Sequence, residues 1–255
     1  MNLVQAIFLS IIEGITEFLP ISSTGHLILA AQLLRIPQSE FAKSFEIFIQ
    51  LGAILGVVFL YWREIKANTQ LWRPIFLAFL PAAFVGFIFY KVIKQFLLGN
   101  SGITIISLFL GGLVLILLEK FYRYRKNASI TTLKINHALF IGAFQALAVV
   151  PGVSRAAATI IGGLLTGLPR QEAVKFSFLL AIPTMAAATA LDLTKSGFAF
   201  SSGEWWLLLI GFGASLITAI FTVKIFVRFV EKHTFIPFGI YRIVIAVAFG
   251  IWGRG

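Results

Sequence analysis

The run Phe18-Leu19-Pro20-Ile21-Ser22-Ser23-Thr24-Gly25 interrupts an otherwise apolar segment that extends from Asn2 to Leu34. A proline inside a helix removes a backbone donor and clashes with the preceding turn. Serine and threonine favour the position that opens a new helix. The run therefore predicts two half-helices in place of one span. A second break of the same design, Val150-Pro151-Gly152-Val153-Ser154, interrupts Ile135–Leu168. Non-helical backbone at membrane depth is tolerated only where protein or a water-filled cavity satisfies its polar groups. Paired Gly/Pro interruptions at matching places of two halves point to a binding site. Both segments read as re-entrant helical hairpins.

That reading presumes a membrane, and composition supplies one. Apolar residues make up 59% of the 255, charged residues 12%, and the mean hydropathy is +0.95. Soluble domains are nearer about half apolar and a quarter charged. The length fits one membrane domain and leaves no room for a sizeable soluble one. No cysteine is present, which excludes disulfides and thiolate metal sites. The net charge of +11 comes from short basic clusters between apolar stretches; that pattern suits anionic lipid headgroups and argues against nucleic acid. The N-terminus lacks a basic leader region, and Glu13 and Glu17 interrupt its apolar run, so no signal peptide is expected.

Spanning the hydrocarbon core takes about 20 mostly apolar residues. Six stretches qualify or nearly so: Ser44–Trp62, Pro74–Tyr90, Phe96–Leu118, Lys175–Leu191, Trp205–Val230 and Phe235–Trp252. Tyr61, Trp62, Tyr90, Trp205, Trp206 and Trp252 lie near their ends, as aromatic belts do. Residues 1–255 are thus expected to form one all-α membrane domain: six transmembrane helices plus two re-entrant hairpins. Residues 2–118 and 135–252 would each hold a hairpin and three spans, joined by a basic linker over 119–134. Three crossings per half force the second repeat to be inverted. One set of loops carries Arg63, Lys66, Arg73, Lys120, Arg123, Arg125, Lys126, Lys134, Arg170, Lys175, Lys224, Arg228 and Lys232. The opposite set carries Arg35, Lys43, Lys91, Lys94, Lys195 and Arg254, with Arg155 and Arg242 set aside as lying inside segments. The first set is the richer, which places it in the cytoplasm and both termini outside.

Ionised side chains at membrane depth cost about 2.5–3.5 kcal/mol each, so those in the hairpins need a reason. Glu13 and Glu17 are four apart and share a helix face with Ser10; they repel unless one is protonated or a cation lies between them. Facing headgroups, or pairing with lysines elsewhere, is the alternative. Ser22, Ser23 and Thr24 open the second half-helix, whose free N–H groups make an anion site. His26 lies three residues past Ser23, where both can face one point. In the second hairpin Gly152, Ser154 and Arg155 repeat the break, the cap and the new helix. The planar fork of Arg155 suits phosphate oxygens, against the alternative of an arginine reaching for the interface. Gln145 and Thr159 are placed to contribute hydrogen bonds. Two meeting hairpin tips would suit a phosphorylated or diphosphorylated ligand, with chemistry or transport left open.

The segment Glu13-Gly14-Ile15-Thr16-Glu17-Phe18-Leu19-Pro20-Ile21-Ser22-Ser23-Thr24-Gly25-His26-Leu27 closely resembles the glutamate-rich signature of the undecaprenyl-diphosphate phosphatases, the bacitracin-resistance family. Pro151-Gly152-Val153-Ser154-Arg155 resembles the family's second signature, and Phe45–Leu55 its first full span. The second signature departs where the family continues with Ser and Gly, because Ala156 and Ala157 stand here. The resemblance implies hydrolysis of undecaprenyl diphosphate, recycling the lipid carrier of cell-wall glycans, in the bacterial cytoplasmic membrane. It implies a site open to the outer face, and a divalent cation, Mg2+ or Ca2+. Its catalytic set is Glu13, Glu17, Ser23, His26 and Arg155. Ser23 is the nucleophile and His26 its base or a general acid, while attack by His26 or water stays open. Ser22, Thr24, Gln145, Gly152, Ser154, Arg155 and Thr159 bind substrate, and Glu13 and Glu17 hold the metal or manage protons. Partners are the lipid substrate, membrane lipids and a second copy in a homodimer. The competing reading is a flippase or transporter of a phosphorylated lipid, which needs Arg155 but no nucleophile.

Overall fold

The computed structural model describes residues 1–37, 39–97, 100–121, 129–196 and 200–252, without the side chains of Lys94, Lys195, Ser196 and Trp252. Helices follow in the order α1 (Leu3–Thr16), α2 (Ser23–Leu33), α3 (Glu40–Ala67), α4 (Trp72–Ile88), the single turn α5 (Tyr90–Val92), α6 (Ser101–Phe121), α7 (Ile135–Ala146), α8 (Arg155–Leu165), α9 (Arg170–Ser196), α10 (Ser202–Lys232) and α11 (Ile236–Trp252). No strand occurs among the described residues. Arg123, Arg125, Lys126, Arg254 and residues 122–128 of the linker 119–134 lie outside them, as do the side chains of Lys94, Lys195 and Trp252.

Among the described residues, five helices are long and apolar enough to cross a membrane: α3, α4 with its preceding turn, α6, α9 and α10. The chain is a multi-pass membrane protein. The sixth expected span is α11, whose 17 residues rise about 25 Å, short of the roughly 30 Å hydrocarbon core. The long helices also outrun the apolar stretches that announced them. Charged ends are helical too: the Ser39 hydroxyl accepts from Ala42 N at 3.2 Å and starts α3 at Glu40, four residues before the expected Ser44. Large apolar side chains such as Phe59, Phe221 and Ile225 face outward, as lipid-facing surface requires.

Polar contacts sort the helix termini into two ends of the bundle. At one end Glu64 of α3 pairs with Lys175 of α9. There Glu119 of α6 pairs with Arg170 of α9 and accepts from Phe235 N at 3.0 Å, just before α11. Glu172 of α9 accepts from Ile130 N at 3.0 Å, just ahead of α7. At the other end Gln5 Nε2 of α1 donates to Leu34 O after α2 at 3.3 Å, Phe41 meets Phe200 at 5.8 Å, and the Tyr90 hydroxyl donates to Asp192 at 3.0 Å. The hairpin α1–α2 therefore starts and finishes at the second end, and α7–α8 at the first.

The half-helices pack in an exchanged pattern, α1 on α10 and α7 on α4. Glycine permits both approaches: a Cβ on Gly14 would sit 2.6 Å from Ser215 O, and one on Gly142 2.4 Å from Ala78 O. Helices in lipid gain their association from such close backbone packing. One buried core joins α3, α4, α8, α9 and the end of α10; a smaller one joins α1, α2 and the starts of α3 and α10.

Candidate active site

Both hairpins turn on a serine held in the left-handed region. Ser22 has φ +73°, and its hydroxyl accepts from Gly25 N at 3.3 Å. Ser154 has φ +75°, and its hydroxyl accepts from Ala157 N at 3.1 Å. Such a conformation costs a non-glycine residue about 1–3 kcal/mol and persists only where the surroundings impose it. Gly152 is at φ +90°, and a Cβ there would lie 2.4 Å from Thr104 O of α6. Ser22 and Ser154, expected to bind ligand through their hydroxyls, spend them as caps, which leaves first-turn N–H groups of α2 and α8 outside the helical ladder.

The tips meet at a cavity of about 550 Å³. Glu17, Ser22, Ser23 and Thr24 line it from the first hairpin, and Gln145, Gly152, Ser154 and Arg155 from the second. Lys43, Glu46 and Gln50 enter from α3. An apolar arm continues between Ala82, Ala83 and Gly86 of α4 and Ala187, Ala188 and Leu191 of α9. Of the remaining expected site residues, Glu13, His26 and Thr159 lie outside the lining.

An ion pair joins the two tips. Arg155 Nη2 donates to Glu17 Oε1 at 2.9 Å, with both residues buried. Arg155 Nη1 donates to Ser177 O at 2.7 Å and Ser177 Oγ at 3.2 Å, while the buried Nε has no partner among the described residues. The fork expected to grip phosphate through two nitrogens thus has one donor unspent. The guanidinium lies 5.8 Å from the centre of the Phe18 ring. Thr159 bonds to Arg155 O at 2.8 Å and Ser177 Oγ at 2.7 Å, so this fully buried hydroxyl supports the arginine and does not face the cavity.

Glu17 Oε2 accepts from Ser23 Oγ at 2.5 Å. The pairing expected between Ser23 and His26 is not formed. His26 Nδ1 is 2.7 Å from Ser22 O, one turn back, and Nε2 is 2.9 Å from the Tyr241 hydroxyl, whose ring stacks on the imidazole. The turn at Ser22 aims Ser23 inward at Glu17 and His26 away toward α11. Glu13 is fully buried, and neither carboxylate oxygen has a hydrogen-bond partner among the described residues. Glu17 and Glu46 repel its charge and Arg155 attracts it. Gln145 takes a 3.3 Å bond from Thr184 on Oε1 and keeps a buried Nε2 without a partner among the described residues. Ala156 and Ala157 pack in the apolar core away from the lining, so the departure there removes no hydroxyl from the cavity wall.

Two residues that sequence reasoning passed over hold this geometry. Ser177 receives the other half of the Arg155 fork, and nothing local in the sequence marks it. Arg242 of α11 is completely buried and donates to five backbone carbonyls. Nη1 reaches Pro20 O and Val153 O, both at 3.1 Å; Nη2 reaches Gly152 O at 2.7 Å and Ser107 O at 3.1 Å; Nε reaches Leu108 O at 3.3 Å. One guanidinium thereby ties both hairpin breaks to α6 and α11. Gly111 makes room, since a Cβ there would lie 2.0 Å from Arg242 Nη2. The signal was present: an arginine within an apolar stretch is costly unless it has work there.

A family model described as bacitracin resistance protein BacA matches residues 6–248. A protein of Aquifex aeolicus named undecaprenyl-diphosphatase is 50% identical over 96% of both chains. Proteins of the same name from Sulfurihydrogenibium sp. and Thermus thermophilus are 47% identical over 99% of this chain and 100% of theirs, and 46% identical over 97% and 96%.

Proposed function

The chain belongs to the bacitracin resistance protein BacA family, and we propose that it hydrolyses undecaprenyl diphosphate to undecaprenyl phosphate and inorganic phosphate, recycling the lipid carrier of cell-wall glycans and so conferring bacitracin resistance. The observation that carries this reading is the chain of contacts from Ser23 Oγ to Glu17 to Arg155 at the wall of a cavity with an apolar arm. A flippase has no use for a serine hydroxyl held against a carboxylate.

Ser23 is the nucleophile and Glu17, in place of His26, its base; the 2.5 Å contact from Ser23 Oγ to Glu17 supports that choice. Ser23 Oγ forms a bond to the terminal phosphorus as its proton passes to Glu17 and the bond to the bridging oxygen breaks. The lipid phosphate leaves as an oxyanion and needs no proton. Water then cleaves the serine–phosphate bond, returning one proton to Ser23 and leaving the other on the released phosphate, and Glu17 sheds the proton it took. Arg155 Nε and the first-turn N–H groups of α2 and α8 stabilise charge on the transferring group. His26 holds the turn through Ser22 O.

The donorless carboxylate of Glu13 fits a divalent cation, Mg2+ or Ca2+, with Glu17 beside it. Among the described residues no three His, Cys, Asp or Glu gather to hold a metal by themselves. The bound ion would neutralise diphosphate charge.

In the membrane, 2–118 and 135–252 act as inverted repeats, with six crossings, two re-entrant hairpins and both termini outside the cytoplasm. The unequal basic loops support this, as does each hairpin beginning and ending at one end of the bundle. The cavity draws on Lys43 and Tyr90, which belong to the end opposite Arg170, and so opens to the outer face of the cytoplasmic membrane. Purified protein should release phosphate from a polyprenyl diphosphate, lose that activity in EDTA and regain it with Mg2+ or Ca2+. Rapid quenching should trap phosphate on Ser23. Absence of phosphate release by the wild type would sink the reading.

A further inference from the structure

Four residues of α3 border the cavity, Lys43, Glu46, Ile47 and Gln50. Their spacing of three, four and seven places them on one face of the helix. Among the described residues, Lys43 and Arg155 supply the only lysine or arginine side chains in the lining. Arg155 reaches the cavity already matched by Glu17 at 2.9 Å, and its other terminal nitrogen is committed to Ser177. Glu46 adds a further carboxylate to the wall. A diphosphate entering this space meets two carboxylates and one guanidinium that is already neutralised. Among the described residues, Lys43 is the only remaining positive side chain in the wall. Its side chain is 15% exposed, and it pairs at 3.5 Å with Glu40, which is 75% exposed. Pairs of that kind contribute about 0–1 kcal/mol, so a stronger anion displaces Glu40 at little cost.

We propose that Lys43 is a substrate-binding residue, the second cation of the cavity, which compensates the diphosphate charge that Arg155 leaves unmatched. A lysine suits this place. Its ammonium is a compact charge with three donors on a flexible stem, able to follow a terminal phosphate whose position changes as the bond to the bridging oxygen breaks. Arg155 has the opposite character, fixed by Ser177, Thr159 and Phe18. The cavity thus holds one rigid cation at the hairpin tip and one mobile cation on α3. This assignment rests on the diphosphatase reading above.

The test uses the full-length protein in detergent with a polyprenyl diphosphate, comparing wild type with Lys43→Gln, Lys43→Arg and Lys66→Gln. Lys66 is exposed near the far end of the same helix and controls for net charge. Lys43→Gln should raise KM about tenfold with kcat changed less than about threefold, and kcat/KM should depend less steeply on salt than in wild type. Lys43→Arg should restore KM to within about threefold. Lys43→Gln with an unchanged KM overturns the proposal, as does a fall in kcat alone, or an equal KM shift in Lys66→Gln. Should the glutamine variant fail to fold, a Lys43→Arg protein whose salt dependence has vanished overturns it as well. A wild type that releases no phosphate overturns the diphosphatase reading itself, which sets that failure apart from an error about Lys43.

Discussion

In the first hairpin Ser22 turns the chain at φ +73° and hands over to Ser23; in the second, Ser154 turns it at +75° and hands over to Arg155. Gly14 seats α1 against α10 three residues before Glu17, and Gly142 seats α7 against α4 three residues before Gln145. The backbone devices match step for step. The chemistry does not: one tip offers a carboxylate and a hydroxyl, the other an amide and a guanidinium. On the proposed mechanism the labour is divided, with nucleophile and base on one tip and the anion-holding cation on the other. The ion pair Glu17–Arg155 is where the two tips meet.

Making the two tips alike should have the largest effect. Glu17→Gln gives the first hairpin the amide of the second, removing the proton acceptor of Ser23. It should lower kcat about 10³-fold, or roughly 4 kcal/mol of barrier. The matched change Gln145→Ala should cost less than about tenfold. Comparable losses in both variants, measured by phosphate release, would dissolve the assigned asymmetry. Arg242→Met cuts the clamp that holds both breaks and leaves buried carbonyls unmatched. Expected is a loss of about 3–5 kcal/mol in stability, read as a lowered thermal midpoint in detergent and relieved by no ligand specific to one hairpin.

Next in size comes Arg155→Lys, which keeps the charge but cannot serve Glu17 and Ser177 together. Activity should fall about 10²-fold while the protein still inserts and melts cooperatively; near-normal turnover would reduce the arginine to a point charge. His26→Asn should cost less than about tenfold, because His26 faces Ser22 O and Tyr241 and not Ser23. A loss rivalling that of Glu17→Gln would return the base role to the histidine. The smallest effect is expected from Ser154→Gly. Losing a cap to glycine costs only a few tenths of a kcal/mol, and glycine accepts φ +75° without strain. The melting midpoint should therefore hold or rise slightly, whereas Ser154→Ala should lower it, through a loss of about 1 kcal/mol or more in stability.

Much of this was legible in the linear chain because it depends on local chemistry. Pro20 with the hydroxyl run behind it, and Pro151-Gly152 ahead of Ser154, announce two interrupted helices wherever the chain is folded. Glu13, Glu17 and Arg155 announce themselves by their cost in an apolar setting. Helix ends were less legible, since Glu40 and Lys66 look like loop residues until a cap at Ser39 and a partner for Glu64 are known.

The sequence by itself determined that this is a helical membrane protein with two broken segments, since hydropathy, proline and capping residues act within a few positions of themselves. Only the tertiary structure decided who faces whom. Ser23 bonds to Glu17 and not His26 because a left-handed turn at Ser22 sends the two side chains apart. Arg155 finds Ser177, 22 residues on, and Arg242 finds carbonyls of both breaks, up to 222 residues away. A side chain's type states what bonds it needs when water is withdrawn; the fold alone states which groups are there to make them.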